Sequence, residues 1–138
     1  MRLLSDYKNK KSFRPIRVLL AEDEYLYQKI IEGYVHSFNL ELTIVDNGNQ
    51  CISKAIEQQY DIILMDIVMP HKSGLEAARE LRSHGITTPI IAITSNTWVE
   101  DEITSIEAGM NDFLAKPISA KKLARKIAYW SNQKGVTV

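Results

Sequence analysis

Along residues 16–132, short apolar runs alternate with stretches whose apolar residues recur at helical spacing. Ile16-Arg17-Val18-Leu19-Leu20-Ala21 stops at an acidic cluster, Ile62-Ile63-Leu64-Met65 ends at Asp66, and Ile90-Ile91-Ala92-Ile93 is opened by Pro89 and ends at Thr94. Runs this short, β-branched and apolar at consecutive positions, predict strands buried on both faces. Residues 41–45 and 112–115 read as weaker strands, expected nearer the edges. Leu26, Ile30, Tyr34 and Phe38 recur every four residues and predict a helix. Leu75, Ala78 and Leu81 follow Gly74. Leu123, Ile127 and Trp130 form a last stripe behind Ser119, an expected N-cap. Residues 48–58 and 97–108 read as two further helices.

Strands alternating with helices in this way imply an α/β fold, a parallel sheet covered on both faces. Right-handed crossovers bring all strand C-termini to one edge, where open α/β sheets place their ligands. The chemistry is therefore sought at that edge.

Composition narrows the picture. The chain has 138 residues, 45% hydrophobic and 25% charged, which fits one globular domain. Residues 1–15 are polar and basic, with Lys8, Lys10, Lys11 and Arg14, and read as a flexible arm; residues 16–132 form the domain and 133–138 a tail. The formal net charge of +0 gives no basic field, so no nucleic acid partner is expected. Cys51 is the sole cysteine, which excludes an internal disulfide framework and suits a reducing compartment. The first residues lack the apolar core of a signal peptide, and no run approaches the ~18 residues of a membrane span. A cytoplasmic protein with no membrane partner is expected.

At the strand ends stand Glu22-Asp23-Glu24, Asp66, Thr94 and Lys116-Pro117. Crowded carboxylates repel one another, and partial burial strengthens the repulsion. A hard divalent cation relieves it, and Mg²⁺ prefers oxygen ligands shared with a phosphate. Asp23 and Asp66 are the expected direct ligands, with Glu22 reached directly or through water. The main-chain carbonyl of Val68 is the expected third protein ligand. An aspartate can attack phosphorus to give an acyl phosphate, a reaction that needs positioning and charge neutralisation above all. Lys116 and the Thr94 hydroxyl are placed to take phosphoryl oxygens beside the cation.

These stretches, VLLAEDE (18–24), IILMDIVMP (62–70), IIAIT (90–94) and AGMNDFLAKP (108–117), resemble the receiver domains of two-component response regulators. The resemblance covers residues 16 to about 132. It implies the flavodoxin-like doubly wound (βα)5 fold, with a five-stranded parallel sheet in the order 2-1-3-4-5. By position, Asp66 resembles the phosphoacceptor, Glu22 and Asp23 the acidic metal-binding pair, Thr94 the switch hydroxyl and Lys116 the family's lysine. Pro117 resembles the proline whose preceding peptide bond, here Lys116–Pro117, is cis, and Phe113 the switch aromatic. The implied partners are a histidine kinase or histidine phosphotransfer protein and a downstream protein read by the face of the fourth helix, fifth strand and fifth helix. The expected state is a monomer or a phosphorylation-dependent dimer. No output domain is expected after residue 132, so the output is expected in another protein or another part of an assembly, whether the chain is a standalone regulator or a receiver of a hybrid kinase. It would be no enzyme beyond its own phosphorylation and dephosphorylation. In resembling proteins the side chains two positions after the phosphorylated aspartate and the switch threonine, here Val68 and Asn96, influence hydrolytic water; Val68 cannot orient it, so slow autodephosphorylation is expected. Two departures stand out: Glu22-Asp23 where many members carry two aspartates, and Ser73 where many carry an acidic residue before the glycine.

Other readings fit less well. An acidic cluster alone usually decorates a helix N-terminus. A phosphatase resembling the haloacid dehalogenases needs Asp-x-Asp, and Val68 stands two residues after Asp66. A flavin or nucleotide site uses hydroxyl- or glycine-rich loops, and Glu22-Asp23-Glu24 repels phosphate without a metal. Trp98, Trp130 and the tyrosines read as packing residues, Cys51 as a small helix residue, and His36, His71 and His84 lack metal-site spacing.

Overall fold

The computed structural model describes residues 14–95 and 99–132. Ten elements alternate: β1 (Ile16–Ala21), α1 (Tyr25–Val35), β2 (Leu40–Val45), α2 (Gly48–Glu57), β3 (Ile62–Asp66), α3 (Gly74–Ser83), β4 (Ile90–Thr94), α4 (Val99–Glu107), β5 (Asp112–Ala115) and α5 (Ala120–Asn132). The strands form one parallel sheet in the order β2-β1-β3-β4-β5. The doubly wound α/β fold and its strand order are thus as expected, with the two weaker strands at the edges. Lys8, Lys10, Lys11, Asn96, Trp98 and the tail lie outside the described residues.

The continuous apolar runs follow from two-sided burial. In β1, Leu19 and Ala21 face one core cluster and Ile16, Val18 and Leu20 the other. β3 and β4 divide in the same alternating way, as the pleat requires. Cys51 and Ile52 of α2, Ala77, Ala78 and Leu81 of α3, and Ala108 and Met110 beyond α4 cover the first face. Ile31 and Val35 of α1 and Leu123 and Ile127 of α5 cover the second.

One helix turns differently from its expected stripe. In α1 the buried residues are Ile31 and Val35, Leu26 is 67% exposed, and Phe38 lies beyond the helix end. A strict four-residue repeat gains about 40° per step on a helix of 3.6 residues per turn, so Leu26 and Phe38 cannot share a face.

The base of the domain is tied by long-range polar contacts. Arg14, placed by sequence in the arm, makes two 2.8 Å hydrogen bonds to Asp61, whose Oδ2 also accepts the Arg17 N–H. Burial pushes the Asp61 carboxyl up, but the Arg14 side chain and the Arg17 N–H outweigh it and hold it below its ordinary value. Arg82, at the end of α3, donates to the carbonyls of Ile86, Thr88 and Gly109 and to the Asn111 side chain.

Candidate functional site

Strand register places the site. Ala21 pairs with Met65, Asp66 with Ile93, and Thr94 with Ala115. The residues that end or follow these strands, Glu22, Asp66, Thr94 and Lys116, therefore meet at one edge although up to 94 positions separate them in the chain. Parallel strands lie about 4.8 Å apart, close enough for neighbouring side chains to touch. The Lys116 N–H donates to the Thr94 carbonyl at 2.7 Å, extending the β4–β5 pairing into the site.

Glu22, Asp23 and Asp66 each offer a carboxylate oxygen, and these atoms lie within 4.8 Å of one another. Glu22 is fully buried and Asp66 is 5% exposed, whereas Asp23 faces solvent. A merely decorative helix N-terminus would not bury Glu22. Its Oε2 accepts the Glu24 N–H at 3.0 Å. Its Oε1 lies 3.1 Å from Lys116 Nζ without hydrogen-bond alignment, so this buried oxygen is left without a hydrogen-bond partner. Burial pushes the Glu22 carboxyl up to about 7; the Glu24 N–H and Lys116 lower it only partly, and Asp66 adds to the rise. An all-oxygen set with one buried, unpartnered carboxylate oxygen fits a hard divalent cation.

Asp66 is held at both oxygens. The Val68 N–H donates to Oδ1 at 3.0 Å, and Lys116 Nζ lies 3.1 Å from Oδ2. Lys116 Nζ also meets Glu24 Oε1 at 2.9 Å and sits 4.2 Å from the ring centroid of Tyr27. Burial opposes the lysine's charge, but Glu24, Asp66 and Glu22 outweigh it and hold its pKa above the ordinary value. Glu24 is the N-cap of α1, yet its side chain makes no cap hydrogen bond and reaches Lys116 instead. The Lys116–Pro117 peptide bond is cis. Thr94 is 6% exposed at the end of β4, and Phe113 is half-buried against the α2–α3 core.

The loop after Asp66 is pinned from below. The Gly74 N–H donates to the Ile67 carbonyl at 2.8 Å, and a Cβ on Gly74 would lie 2.2 Å from the Asp66 carbonyl oxygen. Ser73 before it is the N-cap of α3, in a capping box with Glu76. The serine that departs from the family pattern thus serves as a helix cap. A cleft of about 690 Å³ lies at the opposite end of the sheet, lined by Arg14, Asp61, His84 and Thr88 among others, and contains none of the acidic cluster. Cys51 is fully buried, and burial pushes its thiol up to about 12, so it is an inert core residue.

The family model of the response regulator receiver domain matches residues 18–128. The chain belongs to that family. Its function is accordingly phosphorylation-dependent two-component signalling. The receiver is 39% identical over 106 residues, 77% of this chain, to transcription factor SKN7 of Saccharomyces cerevisiae, and spans 17% of that protein. Among solved structures it resembles the receiver domain of the sensor histidine kinase PA1611 of Pseudomonas aeruginosa, with a magnesium ion coordinated in its active site cleft, at 38% identity and a TM-score of 0.79; the match covers 86% of this chain and 98% of that one. It also resembles the Saccharomyces cerevisiae Ssk1 receiver, solved with the phosphotransfer protein Ypd1, at 26% identity and a TM-score of 0.83, over 88% and 92% of the two chains. The chain spans 17% to 53% of the length of such curated relatives. Several are named as transcription factors or transcriptional regulators, so the expectation of no nucleic acid finds no support there. Among the described residues no helix is long and apolar enough to cross a membrane.

Sequence reasoning brought Glu22, Asp23, Asp66, Thr94 and Lys116 to one edge but missed Glu24 and Tyr27 as neighbours of Lys116. The signal was present for Tyr27, in the first turn of α1, where side chains lean back toward the helix N-terminus.

Proposed function

We propose that Asp66 is the phosphoacceptor of this receiver and, with Glu22, Asp23 and the Val68 carbonyl, the protein's share of a Mg²⁺ site, with Lys116 and Thr94 as partners of the transferred group. One observation carries the reading: a nearly buried carboxylate at a strand end, flanked by two further acids and 3.1 Å from a lysine ammonium. An Asp66 oxygen forms a bond to phosphorus, the bond from phosphorus to the donor's oxygen or nitrogen breaks, and the donor departs with the electron pair. Lys116 offers its charge to one phosphoryl oxygen, and the buried setting removes competing water from the carboxylate. When bound, Mg²⁺ supplies neutralisation of the phosphoryl oxygens' charge.

The added charge is read by Thr94 and Phe113, which bias two conformations of the domain. The face of α4, β5 and α5 is the surface that a partner reads. Ile103 and Ile106 on α4 are 52% and 66% exposed, and β5 is an edge strand with β4 as its neighbour. The donor is a histidine kinase or a histidine phosphotransfer protein, a reading supported by the Ssk1 receiver's association with Ypd1. The protein catalyses its own phosphorylation and dephosphorylation and no other turnover; Val68, two residues after Asp66, has no proton to exchange. Incubated with acetyl phosphate and Mg²⁺, wild-type protein should take up phosphate and Asp66→Asn should not. Undiminished uptake by the variant defeats the assignment.

A further inference from the structure

The surroundings of Lys116 assign one more role. We infer that Tyr27 is a positioning residue for phosphoryl transfer, holding the Lys116 ammonium against Asp66 with the face of its ring; this rests on the reading of Asp66 and Lys116 given above.

A lysine carries its charge on a flexible four-carbon stem, and carboxylates alone do not fix where that charge sits. Glu22, Glu24 and Asp66 all lie within 3.1 Å of Nζ and compete for it. Glu24 pulls it outward, since its side chain is 58% exposed. Tyr27 differs from these partners in kind. Its ring attracts the ammonium through the negative face of the π-system and leaves the positive charge unneutralised. The charge thus stays available to a phosphoryl oxygen.

Tyr27 is also anchored, unlike the exposed Glu24. It is half-buried and packs against the core cluster that contains Ile31, Leu123 and Ile127. The same turn of α1 is tied to the first strand's end, since Gln28 Nε2 donates to the Glu22 carbonyl at 2.6 Å. Its neighbours Tyr25 and Leu26 are 70% and 67% exposed, so of these three residues Tyr27 turns to the site. With the ring on one side and carboxylates on the others, the Lys116 side chain is only 9% exposed.

The test replaces Tyr27 by phenylalanine, by leucine, and by phenylalanines of increasing ring fluorination, which weaken the π-face while keeping the ring's shape. The readouts are the initial rate of phosphate uptake from acetyl phosphate at saturating Mg²⁺, the Mg²⁺ affinity and the melting temperature. Tyr27→Phe should restore the wild-type rate to within about twofold, because the ring is kept. Tyr27→Leu should lose about tenfold, the size expected of a largely desolvated cation–π contact, with Mg²⁺ affinity unchanged. The fluorinated series should fall stepwise at constant melting temperature. If leucine fails to fold, the fluorinated series decides alone. A flat series, or equal rates for leucine and phenylalanine, overturns the role of Tyr27. Wild-type uptake that is lost in Asp66→Asn keeps the parent reading intact in that event, whereas uptake by Asp66→Asn would overturn both.

Discussion

Adding one methyl group at Gly74 tests how tightly α3 supports the loop after Asp66. An alanine Cβ there would lie 2.2 Å from the Asp66 carbonyl oxygen, 2.9 Å from Ile67 Cα and 3.0 Å from the Asp66 carbonyl carbon. Non-bonded carbon atoms rest at roughly 3.5–4.0 Å, so the first residue of α3 and the end of β3 would have to part by about an ångström. All three obstructing atoms are main chain, and none can swing aside as a side-chain tip would. Overpacking of this kind costs roughly 1–3 kcal/mol. For a domain of this size that corresponds to a melting temperature lower by roughly 4–12 °C. The displaced atoms belong to Asp66 and Ile67, so acetyl phosphate labelling should slow as well. Gly33 is the control: it sits within α1, and a methyl group added there would find nothing within 4 Å. Gly33→Ala should stabilise by roughly 0.5–1 kcal/mol through helix propensity alone. Calorimetry of the two variants decides the matter. A Gly74→Ala protein as stable and as quickly labelled as wild type would refute the close support of the loop after Asp66.

Three other expectations follow from the same contacts. Asp61 has its folded pKa below the unfolded value of about 3.8, so its contribution is present above that value and lost as pH falls through the folded one. Asp61→Asn should therefore lower urea stability near neutral pH by about 1 kcal/mol, a figure reduced for the exposure of Arg14, and the difference should fade in acid. Glu22→Gln removes a buried carboxylate with an unpartnered oxygen; its melting temperature without metal should exceed that of wild type, while the rise produced by Mg²⁺ should shrink because binding to the native state supplies that rise. Val68 is 74% exposed beside Asp66, and Val68→Asn should change the phosphoprotein's lifetime; decay identical to wild type removes Val68 from control of hydrolysis.

What could be read in the chain depended on the range of the interaction. Two-sided burial writes itself locally, and β1, β3 and β4 were legible from consecutive apolar residues. The polar residues that stop those runs marked the site because strand ends share one edge. The strand order was not legible from period or spacing; it came with the family resemblance. The α1 stripe failed at Leu26 because a repeat of four only approximates the helix, and solvent and core are separated by less than the drift it accumulates. Contacts between distant residues left no local trace. The Arg14–Asp61 pair spans 47 positions and the Glu24–Lys116 pair 92, and the Arg82 hydrogen bonds to Gly109 depend on how α3 and the turn after α4 meet. Ser73 read only as a departure from the family pattern, and its role as the cap of α3 became visible in the structure.

Trapping the acyl phosphate is the most direct measurement. Protein loaded from a phosphodonor in Mg²⁺ would be reduced with borohydride, which converts an aspartyl phosphate to homoserine, and then mapped by peptide mass spectrometry. Homoserine at position 66, and at no other aspartate, is the predicted result. Homoserine at Asp23 or elsewhere, or stable phosphate on His36, His71 or His84 with Asp66 intact, would contradict the account.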